Sequence, residues 1–130
     1  MRQNVYYAHA MCTYRWPAER RELLAIRRRF HGATIVNPAQ YDRHPEKLRD
    51  TLGFCLRLVE SCDVVVFSRV LGKVTAGVGR EVNHALARGI PVHELLGGTF
   101  KRRLQRVRFI DKRATIRLYE KWRSANLDLA

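Results

Sequence analysis

A small α/β domain, a doubly wound Rossmann-like or flavodoxin-like parallel sheet with helices on both faces, is the fold class that this sequence predicts. Three observations carry it. Short β-rich runs alternate with helical repeats along the chain, the order of successive βαβ units. The run "CDVVVFSRV" (Cys62 to Val70) is almost continuously apolar and β-branched, as a central strand covered on both faces must be. Gly32 and Gly89 each stand where a helix must stop before the chain turns into the next strand.

The elements follow in order. "NVYYAHA" (Asn4 to Ala10) is a first strand, and Pro17 suits the opening turn of a helix that directs Leu23, Leu24, Ile26 and Phe30 inward. Arg20, Arg21, Arg27 and Arg28 populate its other side. "ATIV" (Ala33 to Val36) is a second strand, broken at Asn37-Pro38 because the residue before a proline is driven to extended geometry. A further helix opens at Pro45 or Glu46 and buries Leu48, Leu52, Cys55, Leu56 and Val59. After the third strand, "LGKVTAG" is a glycine-containing loop and "VGREVNHALARG" a helix with Val82, Ala85 and Leu86 on one face. "IPVHELL" is a fourth strand, with Pro91 at its start. "RVRFI" (Arg106 to Ile110) reads as a fifth, and "KRATIRLYEKWRSANL" as a basic terminal helix carrying Ile116, Leu118, Tyr119 and Trp122. Residues 1–130 thus read as one domain, with a basic strand and helix region from about 98.

Composition excludes several classes. No apolar run approaches the roughly 18 residues that span a bilayer, and the N-terminal residues have no apolar signal core, so a cytoplasmic protein without a membrane partner is expected. Cys12, Cys55 and Cys62 are odd in number and lack C-x-x-C spacing, which points to reduced, buried thiols. His31, His44 and His93 form no metal-ligand pattern, and neither a metal nor another cofactor is expected. The net charge of +13, with pI near 10.7, calls for a phosphate-bearing partner. Nucleotides and nucleic acid both qualify, and a solvated helix face accounts for part of the charge; "FKRRLQRVRF" and the terminal helix are the stretches on which nucleic acid would bind.

In a doubly wound sheet ligands bind beyond the carboxyl ends of the strands, which directs attention to the loops after Tyr7, Val36, Ser68 and Leu95 and to "TAGVGREVNHALARGIPV". Gly77 and Gly79 permit positive φ and close backbone approach, and a helix starting beside them would offer free N–H groups to a phosphate. The spacing is neither the dinucleotide G-x-G-x-x-G nor a Walker loop. Glu81 has a structural reading as a first-turn acid that meets the helix dipole, and spacing alone favours it. His84, one turn on, reads as a surface or packing residue, and Asp63 as a strand-start cap.

The chain order resembles the nucleoside 2-deoxyribosyltransferase superfamily, and more closely its 2'-deoxynucleoside 5'-phosphate N-hydrolases and related nucleotide N-glycosidases. The residues that carry the resemblance are "VYYAHAM", "VNPAQY", "SCDVVVFSRV" and "TAGVGREVNHALARGIPV", spanning Val5 to about Val92. The resemblance implies an enzyme that cleaves or transfers at the N-glycosidic bond of a (deoxy)nucleoside 5'-monophosphate. It makes Glu81 the nucleophile on the anomeric carbon and Tyr6 the residue that positions it. Thr75 stands where the monophosphate hydrolases carry a phosphate-contacting serine, with Gly77 and Gly79 beside it and Arg80 or Lys73 adding charge. His9 is placed to contact the base or narrow the pocket, and Asn37 to line the rim or simply make the Asn-Pro turn. One departure is conspicuous: the family's aspartate, eight residues before the Asp of the "CD" pair, is here Cys55, a thiol that cannot serve as a carboxylate. Asp50 lies too far along the helix to replace it. That departure keeps a second reading open, a nucleotide-binding sensor that does not turn its ligand over. A homo-oligomer, a two-fold dimer first, is expected because Ile116, Leu118 and Trp122 form an apolar stripe and family members complete the pocket with a neighbour's C-terminal residues, here Asn126 and Asp128.

Overall fold

The computed structural model describes residues 2–127, so Asp128 lies outside the described residues. The sheet has five strands in the order β2-β1-β3-β4-β5: β1 (Asn4–Ala8), β2 (Thr34–Val36), β3 (Val64–Phe67), β4 (Val92–Leu96) and β5 (Thr99–Arg103). The first four run parallel and β5 returns antiparallel to β4. Helices α1 (Pro17–Arg29), α2 (Pro45–Arg49), α3 (Thr51–Glu60), α4 (Ala76–Ala87) and α5 (Lys112–Ala125) complete the chain. This is the expected α/β fold class, with an antiparallel edge added.

Strand alternation divides the core. Val5 and Tyr7 of β1 point to one face, where they meet Ile26 and Phe30 of α1. Tyr6 and Ala8 point to the other, where they meet Cys55 and Val59 of α3 and Val78 and Val82 of α4. β3 is buried throughout, because both faces are covered. Asp63, just before it, accepts the Asn4 N–H at 2.8 Å and so ties the starts of β1 and β3 together, the structural role anticipated for it.

Four expectations are corrected. The helix expected from Pro45 is two helices, because the Asp50 carboxylate caps a new start by accepting the Gly53 N–H at 3.0 Å. That break turns Leu48 to solvent, 71% exposed, and Leu24 on α1 likewise faces outward. The fifth strand is Thr99–Arg103 and not 106–110. Gly97 and Gly98 both adopt positive φ (54° and 97°), making the two-residue turn that folds β5 directly back on β4. Buried Glu94 then fixes the hairpin by accepting from Arg103 Nη2 at 2.6 Å and Arg69 Nε at 2.6 Å. Finally, Trp122 is buried within its own chain, edge-on to Trp16 at 4.9 Å, so the apolar stripe expected to meet a partner is partly spent internally.

The segment after β5 lies along α4 instead of joining the sheet. The Asn83 side chain donates to the Val107 carbonyl at 3.0 Å and accepts the Val107 N–H at 2.8 Å, while the Ile110 N–H reaches the Val74 carbonyl at 3.0 Å. Gly79 is the position that permits this approach. Neither Gly77 nor Gly79 has positive φ; both are helical, and a Cβ on Gly79 would run into the Phe109 ring, whereas one on Gly77 would meet nothing. Gly79→Ala is therefore expected to destabilise the fold by about 1–3 kcal/mol through overpacking. Gly77→Ala should stabilise it by about 0.5–1 kcal/mol, because alanine costs less entropy in a helix. Urea denaturation of the two variants checks the pair, and equal effects would contradict the packing assigned to Gly79.

Candidate functional site

Beyond the carboxyl ends of β1 and β3 lies a cleft of about 410 Å³, walled by His9, Tyr14, Cys55, Thr75, Gly77 and Glu81. α5 closes one side with Lys112, Thr115, Ile116 and Tyr119. A larger hollow of about 580 Å³ lies between α1 and the β4–β5 turn. Its acid, Glu22, is already committed to Tyr7 Oη at 2.5 Å and Ser68 Oγ at 2.7 Å, which leaves the first cleft as the candidate site.

Glu81 is the acid of that cleft, and it is not at a helix start. α4 begins at Ala76 with Thr75 as its N-cap residue, and its first turn holds no acidic side chain. Glu81 thus sits more than a turn inside the helix, beyond the reach of the dipole argument that its spacing favoured. It is only 7% exposed, and among the described residues it takes part in no ion pair or hydrogen bond of good geometry. Burial pushes its carboxyl up to about 7, since an ionised carboxylate loses hydration there; the nearby Tyr6 hydroxyl, Cys55 thiol and Lys47 charge pull only partly the other way. A carboxyl with no ion pair, raised toward neutrality by burial and lining a cleft, is a candidate functional group.

Its neighbours are equally uncommitted. Tyr6, on the α4 side of β1, is fully buried and its hydroxyl has no hydrogen-bond partner. Burial first, then the Glu81 charge, raise the ionisation of Tyr6 well above the ordinary phenol value, so it stays a neutral donor. Cys55 is pushed up to about 11, again mainly by burial, and is a thiol at neutral pH. Thr75 occupies the N-cap position of α4 yet makes no cap bond, and its buried hydroxyl is also unpartnered. Of these two orphaned hydroxyls, Thr75 lines the cleft, where a bound polar molecule would satisfy it, whereas Tyr6 is buried beside Glu81 and does not line it.

The cations lie around the opening. Lys112 and Arg80 are exposed at the cleft rim. Lys47 is buried, donating to the Pro38 carbonyl at 2.7 Å and to Asp42 at 2.8 Å, and acts on Glu81 as a fixed positive charge. At the start of α4, the Ala76 N–H is taken by Thr115 Oγ1 at 3.0 Å, while the Gly77 and Val78 N–H groups find no acceptor among the described residues.

Of the sequence-predicted residues, Glu81, Tyr6 and Thr75 come together, with Gly77 on the rim. His9 lines the cleft, but its ring nitrogens already face the Tyr7 carbonyl at 3.0 Å and Glu19 at 2.7 Å, and the ring stacks on Tyr7 at 3.6 Å. Only its surface is left for a ligand. Asn37 is elsewhere: buried, it caps the following turn by accepting the Ala39 N–H at 2.9 Å. Gly79 contacts Phe109 and not the cleft. Asn126 caps the end of α5, donating to the Trp122 carbonyl at 2.8 Å, and His84 holds Glu60 at the surface. Sequence reasoning missed Tyr14, Thr115 and Lys112. Tyr14 carries no periodic signal in its irregular turn; Thr115 and Tyr119, one helical turn apart on α5, had such a signal.

No protein-family model and no curated protein matches this chain. Among the described residues, no cluster of His, Cys, Asp or Glu is placed to hold a metal ion, and no helix is long and apolar enough to cross a membrane.

The burial of Glu81 has a measurable linkage consequence. Its folded-state value of about 7 lies above the ordinary 4.5, so the folded protein keeps a proton that the unfolded chain releases. The stability this contributes is complete below about pH 4.5 and is lost as pH rises through about 7, a change on the order of 3 kcal/mol. Glu81→Gln should remove that loss, so chemical denaturation across this window should show the variant gaining on wild type as pH rises. A constant difference between the two would contradict the buried, protonatable state.

Proposed function

We propose that the protein is a nucleotide N-glycosidase or deoxyribosyltransferase-like enzyme acting on a (deoxy)nucleoside 5'-monophosphate, with Glu81 as nucleophile. The observation that carries this reading is a single buried carboxylate with no structural partner at the floor of a nucleotide-sized cleft. The whole-chain resemblance noted in the sequence supplies the reaction class.

The step that fits these groups is displacement at the anomeric carbon. An ionised Glu81 oxygen forms a bond to C1' as the bond from C1' to the base nitrogen breaks, and the electron pair leaves with the base, which takes up a proton. Water then hydrolyses the glycosyl ester, releasing the sugar phosphate and restoring Glu81; in transfer, a second base replaces water. Tyr6, a neutral hydroxyl near the carboxylate with no partner of its own, is available to donate to the ionised Glu81 without competing as an acid. The 5'-phosphate is assigned to the start of α4, where the Thr75 hydroxyl, the Gly77 and Val78 N–H groups and Lys112 converge on one side of the cleft.

A second reading has its own observation. Where a second carboxylate would assist the leaving base stands Cys55, which holds its proton up to about pH 11. A pocket with one carboxylate suits a nucleotide sensor as well as an enzyme.

Chromatography of free base after incubation with ribo- and deoxyribonucleoside 5'-monophosphates tests both. The enzyme reading predicts base release that Glu81→Gln lowers by at least about a hundredfold without unfolding. It also predicts that kcat/KM rises with pH through about 7, since the ionised form attacks. No release from any member, with thermal stabilisation by one of them, would replace the enzyme with the sensor.

A further inference from the structure

The strongest charge feature outside the cleft is the edge of the sheet. β5 pairs with β4 on one side, and among the described residues no strand covers its other side. Lys101 and Arg103, two residues apart, share a face of the strand: Arg103 is paired with buried Glu94, while Lys101, across the ladder from Glu94, is exposed. The chain then continues along α4 as a strip without regular secondary structure, in which Val107 packs on the core and Arg106 and Arg108 are exposed. None of Lys101, Arg106 and Arg108 forms an ion pair among the described residues; of the acids beside them, Glu94, across the ladder from Lys101, is held by Arg69 and Arg103, and Asp111 caps α5 by accepting the Ala114 N–H at 2.8 Å.

Unpaired cations so close together repel one another, a cost that a flexible segment would relieve by spreading. This segment is held. The paired Asn83–Val107 hydrogen bonds, the Ile110–Val74 bond and the seating of Phe109 on Gly79 fix an otherwise irregular strip against a rigid helix. Arg106 and Arg108, on either side of packed Val107, are thereby presented together to solvent, as neighbouring charges for the phosphates of one strand. Between and beside the cations stand two exposed apolar side chains, Leu104 at 77% and Phe109 at 36%. An undistorted duplex keeps its base faces stacked inside, whereas a single strand leaves them open to such groups.

We propose that the β5 edge and the anchored strip after it bind single-stranded nucleic acid, with phosphates on Lys101, Arg106 and Arg108 and bases against Leu104 and Phe109. This surface is separate from the Glu81 floor, so binding does not require turnover, and Glu81→Gln should bind as wild type does.

The test is fluorescence anisotropy with a labelled single strand of about 12 nucleotides across a range of salt. Wild type should bind with a steep salt dependence and prefer the single strand to a duplex of equal length. Reversing Lys101, Arg106 and Arg108 to Glu should weaken binding by tenfold or more and lower the log–log salt slope by roughly 2. Reversing Arg20, Arg27 and Arg28, exposed on α1 across the sheet, changes net charge equally and should leave most of the affinity. Equal losses from both triple variants, preference for duplex, or binding to anionic vesicles without binding to the oligonucleotide would each overturn the proposal. Circular dichroism of both variants separates loss of the surface from loss of the fold, and the separate Leu104→Ser variant, which removes a base-facing group without touching charge, should weaken single-strand binding at unchanged salt slope.

Discussion

The desolvation of one carboxylate is the constraint on which the site depends. Glu81 is carried on the buried side of α4, facing Tyr6 of β1 and Cys55 of α3, in the layer where a helix normally presents only apolar atoms. An acid there is costly unless it keeps its proton or gains a partner. The fold gives it neither an arginine nor a full set of donors, only two weak acids and a lysine committed to Asp42. The carboxyl therefore stands near the midpoint between its two states at neutral pH, able to act in either.

That position follows from how α4 is held. Its start is fixed by Thr115 of α5 at the Ala76 N–H, and its outer face by Asn83 and Gly79 gripping the strip that follows β5. The C-terminal third of the chain thus has a mechanical role: it clamps the helix bearing Glu81 and completes a wall of the cleft. The same clamp presents the strip's arginines outward, so the positioning of the site and the display of the basic surface depend on the same hydrogen bonds.

Much of the fold was legible because parallel β/α architecture writes itself in long signals. The apolar run of β3, Pro17 at the first position of α1 and the glycines closing two helices are all local and strong. The failures are places where one residue changes the frame. Asp50 restarts a helix and sends Leu48 outward, and nothing in the apolar spacing reveals it. The Gly97-Gly98 pair is a hairpin signal that the alternating βαβ expectation masked, and it displaced the fifth strand from 106–110 to Thr99–Arg103. At the site, Glu81 was singled out for its chemistry but misplaced by spacing: the loop was expected to run through Gly77 and the helix to begin at Val78, whereas α4 starts at Ala76 and both glycines are helical. Gly79 is a packing requirement set by Phe109, thirty residues away in sequence, which no local pattern encodes.

The measurement that tests this account most directly is the ionisation of Glu81 itself, followed by carbon-13 NMR of the side-chain carboxyls during a pH titration, with Glu81→Gln assigning the resonance. A midpoint near 7 is the result the buried, partnerless carboxyl requires. A midpoint at the ordinary 4.5 would mean that water or a donor solvates Glu81 in the folded protein, and the cleft would then lose the feature that marks it as a site.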